Sequence, residues 1–216
     1  NYNTVVGDEA GTAITTGDGN VAVGYSAGDA LDVGSYNIAV GMNALTADTK
    51  GSTSIAIGYG TLTAQNFTSA TDAHNIAIGH GTGGAVTTGT FNTLIGGLAG
   101  DGATTASYST ALGYGSLGGA MTGEGNVALG VNTLLVATSA HSNTAVGTSA
   151  MSSATTGTNN VAVGRNALDA NTTASNNTAV GYASLGANTT GINNVAVGSL
   201  AGDANTTGSY NTVMGQ

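Results

Sequence analysis

The stretch Asn160-Val161-Ala162-Val163-Gly164-Arg165-Asn166-Ala167-Leu168-Asp169-Ala170-Asn171-Thr172-Thr173 decides the fold, because its opening five residues return throughout the chain. They recur as Asn20-Val21-Ala22-Val23-Gly24, Asn37-Ile38-Ala39-Val40-Gly41, Asn126-Val127-Ala128-Leu129-Gly130 and Asn194-Val195-Ala196-Val197-Gly198. The closing glycines are Gly7, Gly24, Gly41, Gly58, Gly79, Gly96, Gly113, Gly130, Gly147, Gly164, Gly181, Gly198 and Gly215. Of the twelve intervals between these thirteen glycines, eleven are 17 residues and one, Gly58 to Gly79, is 21. Residues 1–216 therefore read as a single repeat array of thirteen strand motifs with a four-residue insertion.

Each column has a physical reading. The first position is Asn in eleven copies and Ser in two, Ser54 and Ser109. The second is Val, Ile or Thr in all thirteen, the third is Ala in ten, and the fourth is always aliphatic or Met. Aliphatic residues two apart make a short strand with one face fixed, and the Ala between them belongs to the other face. The invariant Gly marks a corner with φ > 0 or a close backbone approach. The remainder of the unit, as in Leu168-Asp169-Ala170-Asn171-Thr172-Thr173, reads as a second short strand and a polar turn. The fold class is all-β: a parallel β-solenoid, or β-roll, with 17-residue coils. Like residues fall above one another, so the ladder residues are Asn20, Gly24, Asn37, Gly41, Asn160, Gly164, Asn194 and Gly198, with Asn amides bonding along their column.

Composition excludes several functions. Lys50 and Arg165 are the only basic residues against eleven acidic ones. A nucleic-acid partner needs a basic face, and a polybasic membrane anchor needs a basic cluster; neither exists here. No apolar run reaches bilayer length, so membrane insertion by this segment is not expected. Without Cys, no disulfide or thiolate metal site forms. One coil offers two aliphatics, a Leu or Gly and a few Ala, too little apolar surface to order it comfortably alone. The expectation is a homotrimer, intertwined or packed, in which the Ala column meets other chains. The start at Asn1 without Met and the uncapped ends suggest a parent protein that continues, or units that stack end to end.

The unit resembles the head repeats of trimeric autotransporter adhesins (YadA-like heads), and the repeats of phage tail fibres. Asn177-Thr178-Ala179-Val180-Gly181-Tyr182 and Asn205-Thr206-Thr207-Gly208 carry the likeness, which extends over all thirteen copies. The resemblance implies a three-chain parallel β-roll and attachment to surfaces. The unit departs from the adhesin pattern in length, and no coiled-coil stalk or anchor is present in this sequence.

Candidate sites compete with plainer roles. Tyr25, Tyr59, Tyr114 and Tyr182 follow the Gly column, and Tyr2, Tyr36, Phe91, Tyr108 and Tyr210 precede the Asn or Ser column. They read as platforms for a glycan or receptor, or as corner packing. The insertion between Gln65 and Ala73 is expected to loop out, with Phe67 as an apolar surface anchor. Asp72, His74 and His80 lie near it without metal-ligand spacing. Gly79-Gly81-Gly84 and Gly113-Gly115-Gly118 match a dinucleotide glycine pattern, but no helix signal follows. The pairs Thr87-Thr88, Thr104-Thr105 and Thr206-Thr207 raise an ice-binding reading, weakened because strand neighbours point to opposite faces. From Thr110 to Thr212 the second strand position alternates Thr and Val, for which a two-coil register is one reading.

No catalytic, cofactor or metal set emerges, so the expectation is a non-enzymatic rod: the shaft or head of an extracellular fibre, on a cell surface or virion. Its partners would be itself and a surface receptor or glycan. The alternatives are a filament subunit stacking end to end and a ligand- or ice-binding solenoid.

Overall fold

A computed structural model describes residues 2–215. The chain divides into two compact units, one ending at Tyr108 and the other beginning at Ser109. Each is a parallel β-solenoid, and no helix forms among the described residues. The first unit contains β1 (Thr4–Val6), β2 (Val21–Val23), β3 (Ile38–Val40), β4 (Gly51–Ser52), β5 (Ile55–Ile57), β6 (Thr71–Asp72), β7 (Ile76–Ile78) and β8 (Thr93–Ile95). The second contains β9 (Thr110–Leu112), β10 (Val127–Leu129), β11 (Thr144–Val146), β12 (Val161–Val163), β13 (Thr178–Val180), β14 (Val195–Val197) and β15 (Thr212–Met214). Within each unit the motif strands pair in parallel, every rung against the next, with like positions opposite: Ala22 faces Ala39, and Ala162 faces Ala179. The 17-residue period is one turn of the coil.

The strand's two faces are assigned oppositely to the oligomer expectation. Ala22, Ala39, Ala128, Ala162 and Ala196 are wholly buried inside their own coils, so the Ala column is not available to other chains. The Val, Ile and Thr residues on either side of each Ala point outward and are half-buried or exposed. The coil is thin, and the side of the strand that faces its interior has room for a methyl group. Branched side chains, favoured in strands for their fit to a pleated surface, go outside.

The expected second strand is absent from most coils. After the Gly, the chain runs through turns and bends that carry left-handed backbone at fixed places. The two-residue strands β4 and β6, which flank the insertion, make the one small second sheet. The column glycines have φ from 126° to 137° in coils from Gly7 to Gly198. A Cβ on Gly164 would lie 2.3 Å from the Gly181 carbonyl oxygen, and on Gly181 2.2 Å from that of Gly198. Successive coils touch backbone to backbone here, which is why no other residue type occupies the column.

In most coils a large aliphatic side chain fills the interior from one of three places, and the coil that opens at Ser109 buries two such side chains, Leu117 and Met121. Counting the ladder Asn or Ser as the first residue, the ninth is Leu or Met in several coils, and the twelfth is then small or polar: Leu134 with Ala137, Met151 with Ala154, Leu168 with Asn171, Leu185 with Asn188. Where the ninth is Gly28 or Gly83, the twelfth is Leu31 or Val86. A Cβ on Gly28 would sit 2.9 Å from Leu31 Cδ1. In the coil holding Gly100 the strand itself supplies the filler, Leu94 replacing Ala, and a Cβ on Gly100 would meet Leu94 Cδ1 at 2.9 Å. The ninth-position Leu and Met residues are left-handed, with φ of 48–57°. That conformation costs about 1 kcal/mol each. Burial of the whole side chain, about 2 kcal/mol, offsets it.

Leu168→Ala is expected to lower stability by about 2–4 kcal/mol in chemical denaturation. Combining Leu168→Gly with Asn171→Leu, which copies the Gly28–Leu31 arrangement, should recover most of that loss. Additive destabilisation in the double variant would refute the shared-volume account.

Candidate functional site

The Asn column is the most elaborate polar structure in either unit. The Nδ2 group of each Asn crosses its own coil: Asn20 donates to the Gly34 carbonyl at 2.9 Å, Asn37 to Gly51 at 2.9 Å, Asn160 to Ala174 at 2.8 Å and Asn194 to Gly208 at 2.8 Å. The Oδ1 atom serves the next rung. Asn37 N–H donates to Asn20 Oδ1, and Asn177 N–H donates to Asn160 Oδ1, both at 2.9 Å. Each amide thus ties the two ends of one coil together and joins that coil to its neighbour. These side chains are buried, and the bonds satisfy backbone groups that the tight turn leaves without strand partners.

Ser54 is too short to make the crossing, and a local network replaces it. Gln65 Nε2 donates to Ser54 Oγ at 3.0 Å and to Asp48 Oδ2 at 2.6 Å, while Asn75 Nδ2 donates to Gln65 Oε1 at 2.8 Å. Asp48 Oδ1 accepts from Gly51 N–H at 2.9 Å and Phe67 N–H at 3.3 Å. The Asp48 carboxylate is buried and pins the start of the insertion. Phe67 is 5% exposed, so it belongs to the core and is not a surface anchor. The insertion bulges only at residues 68–70; β6 then pairs with β4 and restores the register. Sequence reasoning missed this network. Its signal was the coincidence of Asp48 and Gln65, at a position that is small or aliphatic in many other coils, with a Ser in the Asn column.

Tyr25, Tyr59, Tyr114 and Tyr182 are about half exposed, at 47–57%. Tyr25, Met42, Tyr59 and His80 occupy one column on successive rungs, and the Tyr59 and His80 rings stack at 5.2 Å. In the column before the Asn, His74 stacks on Phe91 at 4.9 Å and Phe91 on Tyr108 at 5.2 Å. These three residues take left-handed backbone, with φ of 50–58°. Stacked rings cover one another's faces and present edges to solvent. Of the four Tyr residues that follow the Gly column, Tyr59 is the one in a ring stack. Hydrogen bonding to Glu9 pushes the Tyr25 phenol up from its ordinary value.

Asp72, His74 and His80 are not drawn together: the two imidazoles lie on either side of β7 in separate columns, each stacked on another ring. Among the described residues no three His, Asp or Glu side chains converge on one point, and no pocket opens. No helix is long and apolar enough to cross a membrane. The Thr pairs lie in bends, so the strand rule of opposite faces does not govern them. Thr138, Thr155, Thr172 and Thr189 each donate from Oγ1 to the carbonyl of the corresponding residue in the next coil, at 3.0–3.3 Å. Their neighbours Ser139, Thr156, Thr173, Thr190 and Thr207 are exposed.

Burial pushes the carboxyls of Asp29 and Asp101 up from the ordinary 3.8. Asp29 Oδ1 is enclosed without a hydrogen-bond partner.

No protein-family model, curated protein or solved structure matches this chain.

Asn160→Ala removes the acceptor of the Asn177 N–H and leaves the Ala174 carbonyl with only its 3.2 Å bond from Asn171 Nδ2. The expected loss is about 2–4 kcal/mol, read from the denaturation midpoint. Asp29→Asn should raise the thermal midpoint at neutral pH. A carboxyl whose folded pKa is raised destabilises the fold above its unfolded value of 3.8, and that penalty disappears as pH falls below it. The gain from Asp29→Asn is therefore expected to vanish on acidification; a gain independent of pH would contradict the assignment.

Proposed function

We propose that this chain is a structural, non-catalytic segment of an extracellular fibre, its shaft or head, used for attachment and assembled as a homotrimer. The observation that carries the proposal is the fate of the recurring polar groups. The Asn amides and the first Thr of each pair are spent on holding coil to coil, which leaves a mechanical ladder. What remains broad and regular on each unit is the outward face of Val, Ile and Thr, a surface fitted to packing between chains. The expected localisation is a cell surface or virion, where a cysteine-free, acidic β-ladder functions without reducing or cationic partners.

A second reading, ligand or ice binding, draws on one observation. In the second unit five successive rungs present Thr or Ser pairs, with the first-column hydroxyls of four of them held by backbone bonds and the second column exposed. Thermal hysteresis of the intact chain, lost in Thr156→Lys/Thr190→Lys, would select this reading.

Sedimentation of the full chain is expected to give a mass of three subunits, and negative-stain images should give particles of uniform length. A monomer would overturn the trimer. Particles of open-ended length would replace it with the end-to-end filament.

A further inference from the structure

We propose that the outward face of the second unit packs against further copies of this chain rung for rung, and that Thr110, Thr144, Thr178 and Thr212 fix the register. The inference rests on the self-association proposed above and adds the surface and the residues that align it.

The face consists of the outer residues of β9 to β15: Thr or Val at one edge, Val, Leu or Met at the other. None is charged, and all are half-buried or exposed. The acidic residues of this unit, Glu124, Asp169 and Asp203, all lie outside the strands. In a chain of net charge −9, two copies that meet across this face bring no like charges into contact there. A cationic protein finds nothing here to pair with, and an anionic lipid surface is disfavoured by the overall charge. Six rung steps of about 4.8 Å and three-residue strands about 10 Å long give a footprint of roughly 300 Å². The first unit carries a face of the same kind over β1, β2, β3, β5, β7 and β8. A second copy brings the same shape and the same absence of charge.

Identical rungs create a difficulty. A flat β-face that repeats at every step packs equally well after a slip of one rung, and weakly specified register leads to mixed assemblies. The second unit breaks this degeneracy. Its first outer column reads Thr110, Val127, Thr144, Val161, Thr178, Val195, Thr212, which doubles the period. Thr and Val have nearly the same shape, so the alternation changes chemistry without changing fit. Successive Thr residues are two rungs, about 9.6 Å, apart, out of hydrogen-bond reach of one another. When water is expelled, their hydroxyls find partners on a copy held at the same level. A one-rung slip sets each hydroxyl against Val, which is costly in a dry contact. A two-rung slip restores the match but gives up two rungs of contact. A buried polar residue setting register in an otherwise uniform apolar seam follows the same logic in coiled coils.

The chain has no Cys, so single introduced thiols report the register directly. Val163→Cys and Val180→Cys lie on adjacent rungs in the second outer column and leave every Thr in place. The two full-length variants, carrying different tags, are mixed under reversible association and mildly oxidised. Cross-links between identical positions are expected to exceed cross-links between the two positions by about tenfold. In a Thr110→Val/Thr144→Val/Thr178→Val/Thr212→Val background the ratio should fall toward one. Association with no preference for identical positions, or a preference that survives loss of all four Thr residues, overturns the register assignment and leaves self-association standing. A chain that sediments as a monomer at every concentration overturns both.

Discussion

The structure depends on the backbone-to-backbone contact at the Gly column. Rung spacing in a parallel ladder is set by hydrogen bonds between main chains, and at this corner the chain has no side chain's width to spare. The projected Cβ of Gly164 falls 2.3 Å from the next carbonyl oxygen. With the corners fixed this closely, the coil interior is a narrow slot, and the other columns follow from what fits it. Ala occupies the inner side of the strand because only a methyl group fits where a Leu from the opposite wall already reaches. Asn caps the slot because its amide is long enough to cross to the far carbonyl and still accept from the rung beyond.

The repeat and the class of fold could be read from the sequence because a solenoid writes its geometry into the period. Thirteen aligned copies let each column be interpreted separately. The orientation of the strand was harder, because alternation says that Ala and Val occupy opposite faces without saying which is inside. The usual preference for burying the larger side chain gave the wrong face here. The turn half was misread for a related reason. Leu168 and Leu185 look like strand residues by propensity, yet they adopt left-handed backbone, a conformation disfavoured for Leu and sustained by burial. Phe67 carried the expectation of an exposed anchor because insertions loop outward in general. Asp48, nineteen residues earlier, captures its backbone and draws the side chain in.

The arrangement divides labour between polar and apolar groups in an unusual way. The interior contains a file of amides as well as a file of methyl and isobutyl groups, and the polar file is satisfied by the backbone it serves. The exterior strand face, by contrast, is apolar and uncharged. Apart from Asp48 and Asp72 around the insertion, the acidic groups are carried by turns and corners, where Asp29 and Asp101 are already partly withdrawn from water.

Because most coils carry their own filler, the array is modular at the level of heredity as well as of shape. A gene that gains or loses a whole period by unequal exchange encodes a chain in which the new neighbours still meet through glycine, amide and methyl columns of the kind they had before. Misaligned exchange by any other length throws the columns out of step. The four extra residues before His74 are accommodated only with the polar clasp of Asp48, Gln65 and Asn75 built around them. Length variation in such a lineage therefore proceeds in steps of seventeen codons, while shorter insertions take hold only where a compensating set of side chains arises alongside.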